Sequence, residues 1–585
     1  MSSAAASQSL FGPATVATAA VSSGRLALVN VKQRALLVAK WRALWVLGLF
    51  GLVALTALMR IALLGLFEDA PEARSMSEAL LPSRGEIVDR NGVPLARAFP
   101  AYALWLNPDA LGGGSPLVKS AEEVADALVR VFPDEDRTKL IAQLRAGKPG
   151  YLRRRILPED ANRIHALGEP ALEFPRENER YYPQGSMAAH VLGFVGADGQ
   201  GRVGMEQVYN TRLTDPATRG TPSVLALDTR VQGALEDELS RGMADSNAKG
   251  AAGIVLDVDT GEVLALASLP SFNPNLIDRA SEANIFNRVT NQVYELGSTF
   301  KPLTVAAAID AGVVTDFGRR YQSARPIEIG GFQIRDSHSL GASLNVPEML
   351  MRSSNIVTAQ IADELGPARL NATMRSLGMN ERPYIELPAR GFPLWPKGEW
   401  SRITTMTVSY GHGIAVTPLH LASAYAAMVN GGIWRPATLE KIAPGQAPAG
   451  RRVFKASTSA RMRQLMRMIV ELGTGKRADA PGFRVGGKTG SAEKPGVGGY
   501  RRSSLVATFA AAFPMDHPRY VIIAMLDEPQ GTAATSGQRT AAWNAAPVVA
   551  RVVPRIGPLL GVMPDDTRDV DISDLAPLVS GGEGE

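Results

Sequence analysis

Three serine–lysine pairs at i, i+3 spacing are the residues of this chain best suited to covalent chemistry: Ser246 with Lys249, Ser298 with Lys301, and Ser491 with Lys494. A serine hydroxyl becomes a nucleophile when a neighbouring base takes its proton. Lysine can be that base only if something holds it neutral, since at its ordinary pKa only ~1 in 2,500 is deprotonated at pH 7. A lone Ser-x-x-Lys carries little information, because about one is expected by chance in a chain of this length. Local context separates the three. Ser298 follows Gly297 and opens a helical run, "STFKPLTVAAAIDAG", on which positions i and i+3 share a face and Lys301 can approach the Ser298 hydroxyl. The helix N-terminus favours negative charge on that oxygen, and Pro302 falls where a missing N–H costs little. Ser246–Lys249 reads as a loop ending in Gly250. Ser491–Lys494 follows an apparent strand, on which residues three apart point to opposite faces. Geometry favours Ser298.

Two further clusters have the right types for a substrate site. Lys488-Thr489-Gly490 is the one Lys-[Ser/Thr]-Gly of the chain, and glycines 486, 487 and 490 leave its strand bare enough for another backbone to approach. Lys488 and Thr489 suit a carboxylate by charge and hydroxyl, although a glycine-kinked edge strand with a solvated lysine reads the same way. Ser353-Ser354-Asn355 lies between two helical patterns, where a loop would aim Ser353 and Asn355 at a cleft or where a serine would simply cap a helix. Ser-x-Asn also occurs at Ser271–Asn273 and Ser343–Asn345.

The elements that must position these residues fall into segments. Ala43 to Phe67 is apolar apart from Arg60, and as helix its 25 residues would run about 38 Å against roughly 30 Å of hydrocarbon. The 42 residues before it contain Arg25, Lys32, Arg34, Lys40 and Arg42 and no acid, which places the N-terminus in the cytoplasm and the body outside. A cleaved signal peptide fits poorly, because so long a stretch precedes the span. In "SRGEIVDRNGVPLA" the Asn91-Gly92 step predicts a hairpin. Helices are predicted at Ala121–Phe132, Pro158–Leu167 and Asp228–Met243, and a linker at Leu213–Pro222. Strands flank an Asp-Thr-Gly turn at Asp259–Gly261 and return after residue 480, with mostly helical periodicity over 296–430. An α+β body is therefore expected, with one antiparallel sheet closed by both ends of a helical insertion. From Pro564 the chain turns acidic and glycine-rich and reads as a disordered tail.

Composition excludes other classes. At 45% hydrophobic and 20% charged the 585 residues are globular, and a net charge of +5 implies no nucleic-acid partner. With no cysteine, disulfides, thiolate zinc sites and iron–sulfur clusters are impossible. The six histidines lack metal-ligand spacing. No cofactor or metal is expected.

In order along the chain, Ser-x-x-Lys, Ser-x-Asn and Lys-Thr-Gly resemble the motif set of penicillin-binding proteins and serine β-lactamases. With "RGEIVDRNG", "RYYPQGSMAAHVLGFVG", "GMEQVY" and "SYGHGIAVTPLHLASAYAAMVNGG", the chain resembles the class B penicillin-binding proteins over about residues 43–563, in particular the division-specific peptidoglycan D,D-transpeptidases (FtsI-type). The resemblance implies a cytoplasmic tail (1–42), a transmembrane helix (43–67), a non-catalytic pedestal (68–221), a transpeptidase domain (222–563) and the tail (564–585). It implies a periplasmic catalytic domain on a single-pass anchor in the bacterial inner membrane.

The same resemblance implies roles. Ser298 attacks the penultimate D-alanine carbonyl of a D-Ala-D-Ala stem peptide, with Lys301 as base. Lys488 is the second cation that keeps Lys301 neutral. Ser353 carries the proton to the leaving D-alanine, Asn355 binds the substrate amide, and Lys488, Thr489 and Gly490 belong to the carboxylate site. The N–H groups of Ser298 and Ser491 form the oxyanion hole. β-Lactams acylate the same serine. Arg84, Glu86, Asp89 and Glu206 are expected to lock the pedestal to the catalytic domain. Implied partners are a membrane glycosyltransferase and other division-complex proteins. Two departures stand out: Leu296 replaces the family's proline before Gly297-Ser298, loosening the approach to the nucleophile, and His412 stands where relatives often have an aromatic residue. A D,D-carboxypeptidase or β-lactamase, with water as acyl acceptor, is the alternative enzyme; a penicillin-acylated sensor or division scaffold is the alternative from another class.

Overall fold

The computed structural model describes residues 17–22, 25–67, 82–111, 117–496 and 499–579. It contains two compact units, Met1–Leu81 and Pro82–Glu585. In the first, strands Ala17–Ser22 and Arg25–Asn30 pair antiparallel and run into one helix, Val31–Phe67. Within that helix the 23 residues Val38–Arg60 are long and apolar enough to cross a membrane. The helix thus begins twelve residues before the expected span at Ala43, because nothing in "VKQRALLVAKWR" breaks it: the stretch has no glycine or proline.

In the second unit the early residues build a small α+β module. Strand Pro94–Leu106 pairs with Ile87–Val88 across the expected hairpin, in which Gly92 takes φ +83° and Asp89 accepts the N–H groups of Asn91 and Val93. Helices Ala121–Val131, Arg137–Ala146 and Pro158–His165 pack over this sheet around Leu104, Leu128, Leu140 and Ile156. Each begins where its sequence says it should: Ser120 and Asp136 cap the first two, and Pro158 opens the third.

The later residues form the larger core. Its sheet has five antiparallel strands in the order Val263–Leu269, Gly250–Asp257, Tyr520–Asp527, Gly499–Phe513, Gly486–Gly496. Alternate residues serve opposite faces. Val255 and Ile522 pack with helices Thr229–Ser246 and Ala545–Ile556, whereas Ile254 and Ile523 pack with the helical insertion, including Lys301–Asp310 and Pro418–Val429. With both faces covered, strand Tyr520–Asp527 is buried at every position, which is why it reads as an unbroken apolar run.

Two expectations are corrected. Glu206 is fully buried and accepts from Arg84 Nε at 2.7 Å and Arg180 Nε at 2.6 Å. Both partners precede residue 221, so this cluster braces the early module internally. Of the four expected residues Asp89 does reach later ones, accepting from the Thr229 N–H and hydroxyl at 3.0 and 2.9 Å, with Asn91 donating to Asp228 beside it. Glu86 pairs with Arg97 at the half-exposed rim. The second correction is the tail: residues 564–579 lie along the surface of the larger core, most of them exposed, and are anchored by Leu575, which is only 1% exposed. Its acidic composition suggested solvation, but those acids meet arginines on helix Ala456–Leu472.

Glu206→Ala strands two buried guanidinium groups and is expected to cost about 3–5 kcal/mol, read as a shift in urea unfolding. Arg97→Ala breaks a half-exposed pair and should cost less than about 1 kcal/mol. Equal losses would show that burial does not set the difference.

Candidate active site

Two of the three serine–lysine pairs are structural. Ser246 ends helix Thr229–Ser246 fully buried, donating to the Gly242 carbonyl at 2.7 Å, and Lys249 pairs with Glu528. Lys494 is held by Asp527 and Glu528 at 2.8 and 3.0 Å. Ser491 lies on the edge strand, its hydroxyl accepting from the Ala541 N–H at 3.0 Å.

Ser298 stands in a short 3-10 turn, Gly297–Phe300, that feeds helix Lys301–Asp310. The turn is clamped from several sides. The Tyr425 hydroxyl donates to the Thr299 carbonyl at 2.7 Å and Thr299 Oγ1 donates to the Leu296 carbonyl at 2.9 Å. A Cβ on Gly411 would lie 2.2 Å from the Gly297 carbonyl oxygen. Leu296, 1% exposed, belongs to the core. Packing therefore fixes the approach that a proline ring would fix, contrary to the expected loosening.

The lysine does not meet the serine as helical spacing suggested. Among the described hydrogen bonds, Lys301 Nζ gives its protons to Ser353, to the carbonyl and to Oγ, the latter at 3.1 Å. Lys488 Nζ donates to the same Ser353 Oγ at 3.0 Å, and to the Thr489 carbonyl and hydroxyl at 3.0 and 3.1 Å. Ser353 Oγ thus sits between two lysines, both fully buried. Burial first, and then the Lys488 charge, hold Lys301 well below the usual lysine range, with Asp336 opposing. Burial lowers Lys488 to about 7. A neutral Lys301 amine keeps two N–H donors, matching its two contacts with Ser353, and a lone pair for a proton.

Local chain geometry puts Ser353 there. It ends helix Val346–Arg352 in the left-handed region, φ +63°, an unfavourable place for a serine. The neighbouring helix compensates: Ser354 caps Asn355–Leu365, accepting from Val357 N–H and donating to Asp336 at 2.7 Å. Asp336 also accepts the Asn355 and Ile356 N–H groups. The capping and the cleft-facing readings of "SSN" are both right, for different residues. The Asn355 side-chain amide donates to the Arg335 carbonyl at 3.0 Å.

Strand Gly486–Gly496 forms the sheet edge, but its glycines are not bare. A Cβ on Gly490 would come 2.5 Å from the Leu296 carbonyl oxygen, and one on Gly487 would come 2.5 Å from the Phe509 ring. They let the strand pack against the Ser298 turn and its own sheet, while its outer backbone edge has no strand partner among the described residues.

Ser298, Ser353, Asn355, Thr489 and Ser491 line one cleft of about 840 Å³. Lys301 and Lys488 lie beneath Ser353, and Gly490 backs the Ser298 turn. His412 is also at the cleft, its Nδ1 3.7 Å from Glu295 and its ring 5.9 Å from Tyr410. No aspartate or glutamate lines the cleft among the described residues, and no acid or histidine cluster there could hold a metal. Asp336, Tyr410 and Thr474, whose hydroxyl lies 3.2 Å from that of Thr489, are site residues that sequence reasoning missed. Asp336 and Thr474 stand in no recognisable spacing to the motifs, whereas Tyr410 lies two residues before His412 in the "SYGHGI" stretch that carries the resemblance.

Known proteins resemble this chain in sequence and in fold. Residues 251–550 match the penicillin binding protein transpeptidase domain, and residues 79–239 match the penicillin-binding protein dimerisation domain. The chain is 38% identical to the probable peptidoglycan D,D-transpeptidase FtsI of Caulobacter vibrioides, covering 89% of each protein. It is 30% identical to peptidoglycan D,D-transpeptidase FtsI of Escherichia coli K12, over 86% of this chain and 87% of that one. A crystal structure of penicillin binding protein 3 from Mycobacterium tuberculosis in complex with aztreonam aligns over 82% of this chain and 97% of that one, with a TM-score of 0.64 at 26% identity. Family domains, relatives and fold agree: the chain belongs to the class B penicillin-binding proteins, the FtsI-type peptidoglycan D,D-transpeptidases.

Proposed function

We propose that the chain cross-links peptidoglycan stem peptides during cell division through an acyl-enzyme on Ser298, and that β-lactams acylate the same oxygen. The observation that carries this reading is the Ser353 hydroxyl held between two buried lysines at the cleft where Ser298 lies. Lys301, held well below the usual lysine range by burial and the Lys488 charge, takes the Ser298 proton as Oγ attacks the penultimate D-alanine carbonyl. The N–H groups of Ser298 and Ser491 receive the developing oxyanion. The proton passes from Lys301 through Ser353 to the leaving D-alanine nitrogen, and the carbon–nitrogen bond breaks. An amine of a second stem peptide then attacks the ester and releases Ser298. Asn355 binds the substrate amide. Thr489, with Gly490 and Ser491 beside it, receives the terminal carboxylate. Lys488 is buried and supplies its charge from behind Thr489 and Ser353 rather than by direct contact.

The same reading places the catalytic domain (222–563) in the periplasm behind a pedestal (68–221), on a single-pass anchor with the N-terminus cytoplasmic. The apolar helix segment Val38–Arg60 and the basic residues before it support that topology. Strand polymerisation would come from a membrane glycosyltransferase of the division complex.

Four measurements test this. A fluorescent penicillin should label the chain at one site that Ser298→Ala abolishes and Ser246→Ala leaves intact; an adduct mapped to Ser246 or Ser491 overturns the nucleophile. Given donor stem peptide and an amine acceptor, the purified protein should form cross-linked product; hydrolysis alone would make it a carboxypeptidase, and acylation without turnover a sensor.

Lys301→Arg keeps the charge but cannot give up a proton near neutrality. It should slow acylation at least ~10²-fold at pH 7 with little change in melting temperature. A loss below tenfold would leave Lys301 a purely electrostatic role. Because Lys301 must be neutral and Lys488 charged, the parent acylation rate should rise with pH as Lys301 deprotonates and fall again as Lys488, lowered to about 7, loses its proton. A rate rising steadily to pH 9 would remove Lys488 from the protonated role.

A further inference from the structure

The matched transpeptidase domain ends at residue 550, yet the chain beyond it returns to the catalytic core. Asp565 N–H donates to the Gly482 carbonyl at 2.8 Å, and its own carbonyl accepts from Arg484. Asp569 then grips Arg467 of helix Ala456–Leu472, Nε to Oδ2 at 2.8 Å and Nη2 to Oδ2 at 2.7 Å. Arg467 is 7% exposed; besides Asp569 it meets Asp479 at 2.8 Å and Glu471 at 3.1 Å, and its Nη1 donates to the Val485 carbonyl at 3.0 Å. Val485 leads directly into strand Gly486–Gly496, which carries Lys488. On the same helix Gln464 donates to the Asp571 carbonyl at 2.6 Å and Arg461 pairs with Asp574.

The segment then crosses to the other half of the site. Leu575 is buried in the larger core. The Leu578 carbonyl accepts from Asn345 Nδ2 at 2.6 Å. Asn345 is the N-cap of helix Val346–Arg352, and its Oδ1 meanwhile accepts from the Glu348 N–H. That helix ends at Ser353. One short segment therefore touches the start of the Ser353 helix and, through a single buried arginine, the start of the Lys488 strand.

We propose that residues 564–579 are a positioning strap that holds the Ser353 helix and the Lys488 strand at the separation acylation requires. The distance it would control is the 3.0 Å from Lys488 Nζ to Ser353 Oγ. Its residues touch no reacting atom; they act through Gly482, Arg484 and Arg467 on one side and Asn345 on the other. The charged groups acting on Lys301 are Lys488 and Asp336. A slack strap would let Lys488 withdraw and water enter. Both changes raise the Lys301 pKa, so the acid limb of acylation would move to higher pH. Asp336, fixed by the N-terminus of helix Asn355–Leu365, would stay in place.

The proposal rests on Ser298 as the nucleophile, which mapping of the β-lactam adduct on the parent chain tests separately. The strap itself is tested on the full-length protein with Asp569→Asn, Asp569→Glu and a chain ending at Arg568, following acylation by a chromogenic cephalosporin against pH. Asp569→Asn keeps Leu575 and the Asn345 contact, so it reports even if the shortened chain does not fold. Asp569→Asn should acylate roughly tenfold more slowly at pH 7, within the ~10²-fold that a displacement of about 1 Å can cost. Its acid limb should shift to higher pH, and Asp569→Glu should restore most of both. A lowered melting temperature with parental rate and pH profile would overturn the proposal, leaving the segment as packing alone. So would an Asp569→Glu variant as slow as Asp569→Asn.

Discussion

Two ammonium groups cannot both stay charged in one dry space, and the site depends on that constraint. Lys301 and Lys488 are fully buried and converge on a single hydroxyl, Ser353 Oγ, at 3.1 and 3.0 Å. In water either would remain protonated; buried together, one must yield, and Lys301 feels both the desolvation and the other's charge. The pair is thereby biased toward one neutral amine, the form that has a lone pair to accept a proton. The cost falls on the fold, which must keep two cationic side chains out of solvent.

Much of the architecture serves that burial. The Lys488 strand is the edge of a sheet whose other strands are sealed on both faces. It reaches the Ser298 turn only because Gly490 has no side chain to collide with Leu296. Ser353 reaches the lysines only because one helix ends and the next begins around it, with Ser354 and Asp336 absorbing the exposed N–H groups of the second. Local chain reversal, close approach and capping are separate devices, and all three bear on one oxygen atom.

The motif residues were legible through their order along the chain rather than singly, since Ser-x-x-Lys and Ser-x-Asn each occur three times and only their sequence with the one Lys-Thr-Gly sets them apart. The sheet was legible because its strands are short apolar runs bounded by turn residues. What was hidden depended on contacts between distant segments. Helical spacing placed Lys301 beside Ser298, but the 3-10 turn before it and the arrival of Ser353 send its protons elsewhere. Asp336 has no local signature, since what it caps lies nineteen residues on. The end of the chain read as disordered because composition alone cannot show that Arg461 and Arg467 wait for its acids. Arg84 and Glu206 were singled out but assigned to the wrong boundary, because a pattern of charges does not say which segments it joins.

The glycines that let backbone meet backbone also restrict how this protein can change. At Gly411 and Gly490 any added methyl would lie within 2.5 Å of a carbonyl oxygen of the nucleophile turn, so no side chain is tolerated without moving Ser298. The cleft's outer wall is different: Phe332 and Arg335 are exposed and lie outside these close approaches. Mutational drift is therefore steered. A substitution at that rim meets no such close approach, while at Gly411 and Gly490 sterics oppose a side chain before its chemistry matters.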